Sequence, residues 1–119
     1  MGMKGFILCV CQGTCPSFNN MDIFALLSDV RREKLFSYVC LHPQLCVEDG
    51  DEFIKVLLSG GATEKLYVAG CDPRMQAKMF RDAFEAAGFE KEKHVALDIR
   101  NKTTEEALAA IKELVANNP

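Results

Sequence analysis

The sequence lacks the features that mark membrane, secreted and nucleic-acid-binding chains. No apolar run approaches the roughly 20 residues that a membrane-spanning helix needs. No signal core precedes the first predicted strand, so we expect a cytoplasmic protein. The 14 Lys and Arg residues are outnumbered by 17 Asp and Glu, and they form no basic stripe. These properties argue against a membrane span and against nucleic acid as a partner.

The motif Cys-x-x-Cys is also absent, although the chain has six cysteines among its 119 residues. Its absence argues against a thioredoxin-like centre and against the paired knuckles of a zinc ribbon. In the cytoplasm, clustered cysteines bind metal or do redox work more often than they form disulfides. With 49% hydrophobic residues the chain can bury a core without disulfides, so we expect one domain over residues 1–119.

Strand-like apolar runs and amphipathic helix patterns alternate four times along the chain. Strands are predicted at 4–10, 36–41, 65–70 and 93–99, and each is followed by a helix. Such alternation predicts an α/β fold, with a parallel sheet covered by helices on both faces. Right-handed crossovers leave few topologies. We therefore expect a three-layer sandwich with a four-stranded parallel sheet, (βα)4, in strand order 2-1-3-4.

Helix starts are predicted from capping residues. Asn20 is placed to cap the first helix, and Asp49 with Glu52 resembles a capping box for the second. Asp72-Pro73 fits a cap followed by Pro at the first helical position, and Gly88 is the expected stop. Thr103 and Glu106 form a capping box for the last helix. The third helix is expected to turn a common apolar side inward, comprising Met75, Met79, Phe80, Ala83 and Phe84.

The cysteines fall at the ends of the first three predicted strands, namely Cys9, Cys11 and Cys15, then Cys40 and Cys46, then Cys71. Parallel strands end at the same edge of a sheet, and three adjacent ends span only about 10 Å. The second and third helices begin just after Cys46 and Cys71, and their amino ends favour thiolates and bound anions. The sequence therefore predicts clustered thiols around an iron–sulfur cluster, with Arg74 as a cofactor-binding cation.

Four short motifs at these strand ends belong together: Cys9-Val10-Cys11, Cys46-Val47-Glu48-Asp49-Gly50, Cys71-Asp72-Pro73-Arg74-Met75 and Asp98-Ile99-Arg100. The set resembles the amino-terminal iron–sulfur domain of the large, flavin-containing subunit of heterodisulfide reductase, and related stand-alone electron-transfer subunits. That family shows a Cys-x-Cys, a Cys four residues before a Gly that opens a helix, and Cys-Ser-Pro-Arg-Met. The last of these motifs is the most specific.

The resemblance implies a [4Fe–4S] cluster with Cys9, Cys11, Cys46 and Cys71 as its ligands. It also implies a role in passing single electrons as a subunit or partner of a heterodisulfide-reductase-like flavin and iron–sulfur complex, without a catalytic site of its own. The chain departs from the family in having Asp72 for Ser, Gly13 one residue later, and two additional cysteines. Cys15 could therefore replace Cys9 or Cys11 as a ligand, and Cys40 could be a buried strand thiol.

Two other functions use the same residues. Four cysteines could hold a structural zinc ion. Alternatively, Cys11 or Cys71 could be activated by a helix amino end in a thiol–disulfide redox protein or sensor. Metal content distinguishes a zinc site from an iron–sulfur cluster. Thiol titration with and without metal distinguishes a thiol–disulfide protein from either metal site. His42, which precedes Pro43 near the thiols, is expected to be a partly exposed loop residue.

Overall fold

A computed structural model describes residues 2–10 and 16–119, so Cys11 and Cys15 lie outside the described residues. Its strands are β1 (Met3–Cys9), β2 (Tyr38–His42), β3 (Thr63–Gly70) and β4 (His94–Asp98). Its α-helices are α1 (Ile23–Arg32), α2 (Glu48–Leu58), α3 (Pro73–Ala87) and α4 (Thr104–Asn117). Within these residues the strands form one parallel sheet in the order β2-β1-β3-β4. The predicted fold and strand order are confirmed.

Each face of the sheet is covered by its own apolar cluster. Successive side chains of a strand point to opposite faces, so Phe6 and Leu8 lie on one face and Ile7 and Cys9 on the other. The first face packs against α1 and α4 through residues such as Leu26, Val30, Ala107 and Ile111. The second packs against α2 and α3 through residues such as Ile54, Leu58, Phe80 and Phe84. The molecule is therefore a three-layer sandwich with β1 inside the sheet.

The predicted caps of α3 and α4 are confirmed. The Asp72 carboxylate accepts a hydrogen bond from the Arg74 N–H at 2.7 Å, and Pro73 is the first residue of α3. Gly88 ends α3 in the left-handed conformation, with φ of 69°. Thr103 and Glu106 exchange hydrogen bonds of 3.2 and 2.9 Å and form the capping box of α4. Local side chains therefore fix the starts of α3 and α4.

The predicted caps of the first two helices are wrong. The cap of α1 is Asp22, whose carboxylate accepts from the Ala25 N–H at 3.0 Å, rather than Asn20. Helix α2 begins at Glu48 after Val47 and has no side-chain cap. Asp49 falls inside its first turn, and Gly50 in the same turn packs against the Leu45 backbone of the preceding loop.

The predicted inward face of α3 is confirmed at Phe80, Ala83, Phe84 and the partly buried Met79, but it is wrong at Met75. Met75 is 52% exposed, whereas Gln76 is buried at 1%. The Gln76 Nε2 donates to the carbonyl oxygen of Cys71 at 2.9 Å, and its Oε1 lies 3.0 Å from the His94 Nε2. A fully hydrogen-bonded amide can occupy the interior at little cost. Gln76 therefore takes the position that apolar periodicity assigned to Met75.

His94 should make stability depend on pH. Its ring packs edge-on against Phe80 and Phe84, and burial lowers its pKa from 6.5 to about 4. Between these values the unfolded chain binds a proton that the folded chain does not, so stability is lost as pH falls from 6.5 towards 4. Between pH 7 and 4 the wild type should lose about 3 kcal/mol more than His94→Gln in urea unfolding. Equal losses in the two proteins would contradict this.

Candidate functional site

Three of the predicted ligands lie at the carboxyl edge of the sheet. Cys9 ends β1, Cys71 directly follows β3, and Cys46 lies in the loop between β2 and α2. Strands β1 and β3 are neighbours, and their register pairs Leu8 with Ala69. The next position of each strand brings Cys9 alongside Gly70. The parallel sheet therefore places Cys9 and Cys71 at adjacent strand ends.

Gly70 keeps the two strand ends close. A Cβ atom at this position would lie 3.2 Å from both the Cβ and the carbonyl oxygen of Cys9, which is tighter than ordinary packing allows. The backbone leading into Cys71 can pass beside Cys9 because residue 70 has no side chain. Gly70 directly precedes the Cys71 motif in the sequence, and this close approach gives it a physical role.

Cys9 and Cys71 are close enough to interact electrostatically. Burial is the main factor that raises the pKa of Cys71, and negative charge at Cys9 raises it further. The Arg100 guanidinium lowers this pKa, whereas the Asp98 carboxylate that pairs with Arg100 raises it. Two thiolates in this arrangement repel each other unless a cation lies between them or one keeps its proton. Both thiols lie at the same edge of the sheet.

The Cys9 sulfur is further held by the loop that follows β2. The Leu45 N–H donates to the Cys9 Sγ at 3.5 Å, and both residues are buried. A backbone donor of this kind stabilises sulfur that carries negative charge, as ligating thiolates do. The loop thus contributes a contact to the sulfur of the neighbouring strand as well as carrying Cys46.

Close packing against α2 fixes that loop. A Cβ atom at Gly50 would lie 2.4 Å from the carbonyl oxygen of Leu45 and 2.5 Å from its Cα, so no other residue fits. On the other side, the His42 Nδ1 accepts from the Gln44 N–H at 3.0 Å, and its ring packs against Phe53. His42 is only 8% exposed, so the expectation of a partly exposed residue is wrong. These contacts explain physically why a Gly stands four residues after Cys46.

The other two described cysteines have different surroundings. Cys46 is exposed, and the Gln44 Nε2 donates to its Sγ at 3.3 Å. Cys40 lies within β2 opposite Ile7, two residues before the strand ends, and its Sγ donates to the Phe6 carbonyl oxygen at 3.6 Å. Burial raises the pKa of Cys40 to about 11. Cys40 is thus a half-buried strand thiol, whereas Cys46 is at the edge.

A positively charged cleft of about 340 Å³ adjoins Cys71. It is lined by Asp72, Arg74, Met75, Lys78 and Arg100, and we call it the α3 cleft. The Arg100 Nε and Nη2 donate to the two carboxylate oxygens of Asp98 at 3.0 and 2.7 Å, which holds the pKa of Asp98 below its usual value. Arg74, the predicted cofactor-binding cation, lines this cleft.

Arg100 is not among the predicted site residues, although it acts on the thiol of Cys71. Its signal in the sequence is the Asp98-Ile99-Arg100 motif directly after the fourth predicted strand. In the structure, Gly70 pairs with Asp98, so the residues after β3 and those after β4 lie together. A cation two residues beyond a strand end is therefore a recognisable candidate for the site at this edge.

The described cysteines supply part of the ligand set that a cysteine-bound metal centre needs. Across residues 2–10 and 16–119, no three His, Cys, Asp or Glu side chains are grouped to hold a metal ion. Cys9 and Cys71 offer two neighbouring sulfurs, and Cys46 adds a third from the adjoining loop with its thiol exposed. The predicted ligand Cys11 and its possible substitute Cys15 lie outside the described residues. Sulfur donors of this kind suit an iron–sulfur cluster or zinc.

No protein-family model and no curated protein matches this chain. Its function is therefore inferred from the chemistry of the cysteine site and its surroundings. None of the helices in the described part of the chain is long and apolar enough to cross a membrane.

Replacing Gly50 with Ala should loosen the loop over Cys9. The new methyl group would collide with the Leu45 backbone, which cannot move aside without displacing the loop. We expect a loss of about 1–3 kcal/mol in the free energy of unfolding and faster alkylation of Cys9 in the reduced, metal-free protein. Glu48→Ala, an exposed change in the same helical turn, should leave alkylation of Cys9 unchanged and should cost less than about 1 kcal/mol through the helix dipole. Unchanged alkylation of Cys9 in Gly50→Ala would contradict the proposed packing.

The reactivity of the described thiols should follow their surroundings. In reduced, metal-free protein at pH 8, Cys46 should react fastest with iodoacetamide because it is exposed. Cys40 should react slowest, since a pKa of about 11 leaves only about one thiolate in a thousand at that pH. Peptide mass spectrometry over a time course measures each rate. Labelling of Cys40 before Cys46 would show that the described packing of β2 is wrong.

Proposed function

We propose that this chain binds one [4Fe–4S] cluster through Cys9, Cys11, Cys46 and Cys71. In this proposal it passes single electrons as a subunit or partner of a heterodisulfide-reductase-like flavin and iron–sulfur complex in the cytoplasm. The observation that carries the proposal is the placement of Cys9 and Cys71 at adjacent strand ends, with Gly70 packed against Cys9. When bound, such a cluster supplies a reversible one-electron change.

The residues around the thiols support a negatively charged centre. The Leu45 N–H donates to the Cys9 sulfur, and the amino ends of α2 and α3 lie at the same edge of the sheet. Arg100 acts electrostatically on Cys71, and Arg74 adds a second positive charge in the first turn of α3. Hydrogen bonds and nearby charges of this kind set the reduction potential of an iron–sulfur centre. The chain's own task is to hold and tune the cluster, without a catalytic site for a substrate.

One alternative has an observation in its favour. Two interacting thiols, Cys9 and Cys71, could form a reversible disulfide in a thiol–disulfide redox protein. Structural zinc uses the same sulfur donors, and four thiolates around zinc also make an anionic centre, so metal and sulfide analysis separates the two. The iron–sulfur function accounts for the four motifs together, including the exposed Cys46 and the glycine that holds its loop.

Metal and sulfide analysis tests the proposal directly. Protein purified without oxygen should contain about four iron and four acid-labile sulfide per chain, with a broad brown absorbance that bleaches on reduction. Ser substitutions at Cys9, Cys11, Cys46 and Cys71 should each remove most of the iron. Cys40→Ser is the matched control and should retain it, because Cys40 lies inside β2.

Other results would point to a different centre, to no metal centre or to a different set of ligands. About two iron and two sulfide per chain would indicate a [2Fe–2S] cluster instead of the proposed [4Fe–4S] cluster. Zinc without sulfide would establish a structural site instead. No metal after anaerobic reconstitution would refute the cluster and favour the thiol–disulfide function. Loss of iron in Cys40→Ser with retention in Cys46→Ser would overturn the ligand assignment alone.

A further inference from the structure

The α3 cleft includes a cation, Arg74, at the amino end of α3, where a helix tolerates positive charge least. Arg74 lies in the first turn of α3, Lys78 follows one turn later, and no acidic residue occupies the first turn. Cations at a helix amino end oppose the helix dipole, typically by about 0.3–1 kcal/mol each. Two cations four residues apart also repel each other. This arrangement weakens the isolated chain slightly, and a negative charge nearby would offset it.

The described residues supply that charge only in part. Arg100 is paired with Asp98, but none of the ion pairs within residues 2–10 and 16–119 involves the Arg74 or Lys78 side chain. One acidic residue, Asp72, lines the cleft together with three cations, and its carboxylate caps the helix by accepting from the Arg74 N–H. The chain as a whole has a net charge of −3, so this surface differs in sign from the average. It is complementary to an acidic partner.

An apolar side chain belongs to the same surface. Met75 is 52% exposed and lines the cleft together with Arg74, Lys78 and Arg100. Protein interfaces combine such an apolar contact with a polar rim, and Met and Arg are enriched in them. A small inorganic anion would satisfy the cations but would leave Met75 in water. The combination therefore favours a protein segment over a free anion.

We propose that the α3 cleft docks an acidic segment of the protein that exchanges electrons with this chain. The assignment of that partner as a redox protein rests on the proposed function, whereas the docking itself rests on charge and shape. Docking here would bring the partner against the turn that carries Cys71, since Asp72 both follows Cys71 and lines the cleft. Opposite charges would also speed the encounter of the two proteins at low salt.

Binding of acidic peptides tests the docking site. The probes are rhodamine-labelled decaglutamate and the same peptide with one central Leu, measured by fluorescence anisotropy at 20 mM salt on the full chain, with and without metal. Lys78→Glu should weaken decaglutamate binding about fivefold or more. Arg81→Glu, an equal charge change on the same helix outside the α3 cleft, should change it less than twofold. The central Leu should tighten binding about threefold in the wild type and not in Met75→Gln.

Several results would overturn the docking site. They are equal weakening by Lys78→Glu and Arg81→Glu, no binding at 20 mM salt, or displacement of the peptide by millimolar inorganic phosphate at constant ionic strength. The last result would indicate a small-anion site. Peptide binding by a chain that fails the iron and sulfide analysis would refute the cluster and leave the docking surface standing. The two proposals therefore fail separately.

Discussion

The parallel pairing of β1 with both β2 and β3 is the constraint on which the candidate site depends. It makes β1 an inner strand, buried from Gly5 onward on both faces, and it brings three strand ends to one edge. Cys9 thereby lies between the loop after β2 and the turn after β3. Both neighbours then approach it through backbone atoms, the Leu45 N–H on one side and Gly70 on the other.

Two glycines make that approach possible, and neither is required by backbone conformation. Gly50 lies in a helix and Gly70 in a strand, where other residues would adopt the same φ. What they provide is space, because a methyl group at either position would meet backbone atoms of the adjoining segment. The positions of the sulfurs are therefore set by tight backbone packing, which is stiffer than contacts between flexible side chains.

Much of this architecture could be predicted from the sequence, because its signals are local. Alternating patterns indicated the strand order, and the caps at Asp72 and Thr103 rest on residues two or three positions away. The two errors in burial, at Gln76 and His42, have a different cause. Gln76 is buried because its partners include the distant His94, and His42 is buried because Phe53 packs on it. Apolar periodicity cannot reveal a buried polar residue whose hydrogen-bond partners lie on another element.

The same distinction applies to the site. The cysteine positions at one edge followed from topology, whereas the interaction of Cys9 with Cys71 and the role of Arg100 depend on the register between strands. Pairing of Gly70 with Asp98 and the hydrogen bond from the Ile99 N–H to the Gly70 carbonyl oxygen fix that register. A motif at the end of β4 was visible in the sequence, but nothing local indicated that its arginine would act on a thiol at the end of β3.

Arg100 connects the cysteine edge with the charged surface outside it. Its guanidinium is held by both oxygens of Asp98, acts on the charge of Cys71, and lines the α3 cleft with Arg74 and Lys78. A negatively charged partner bound in that cleft would offset the same positive charge that favours negative sulfur at Cys71. Docking and the electrostatics of the sulfur site would therefore be coupled through one side chain that Asp98 holds in place.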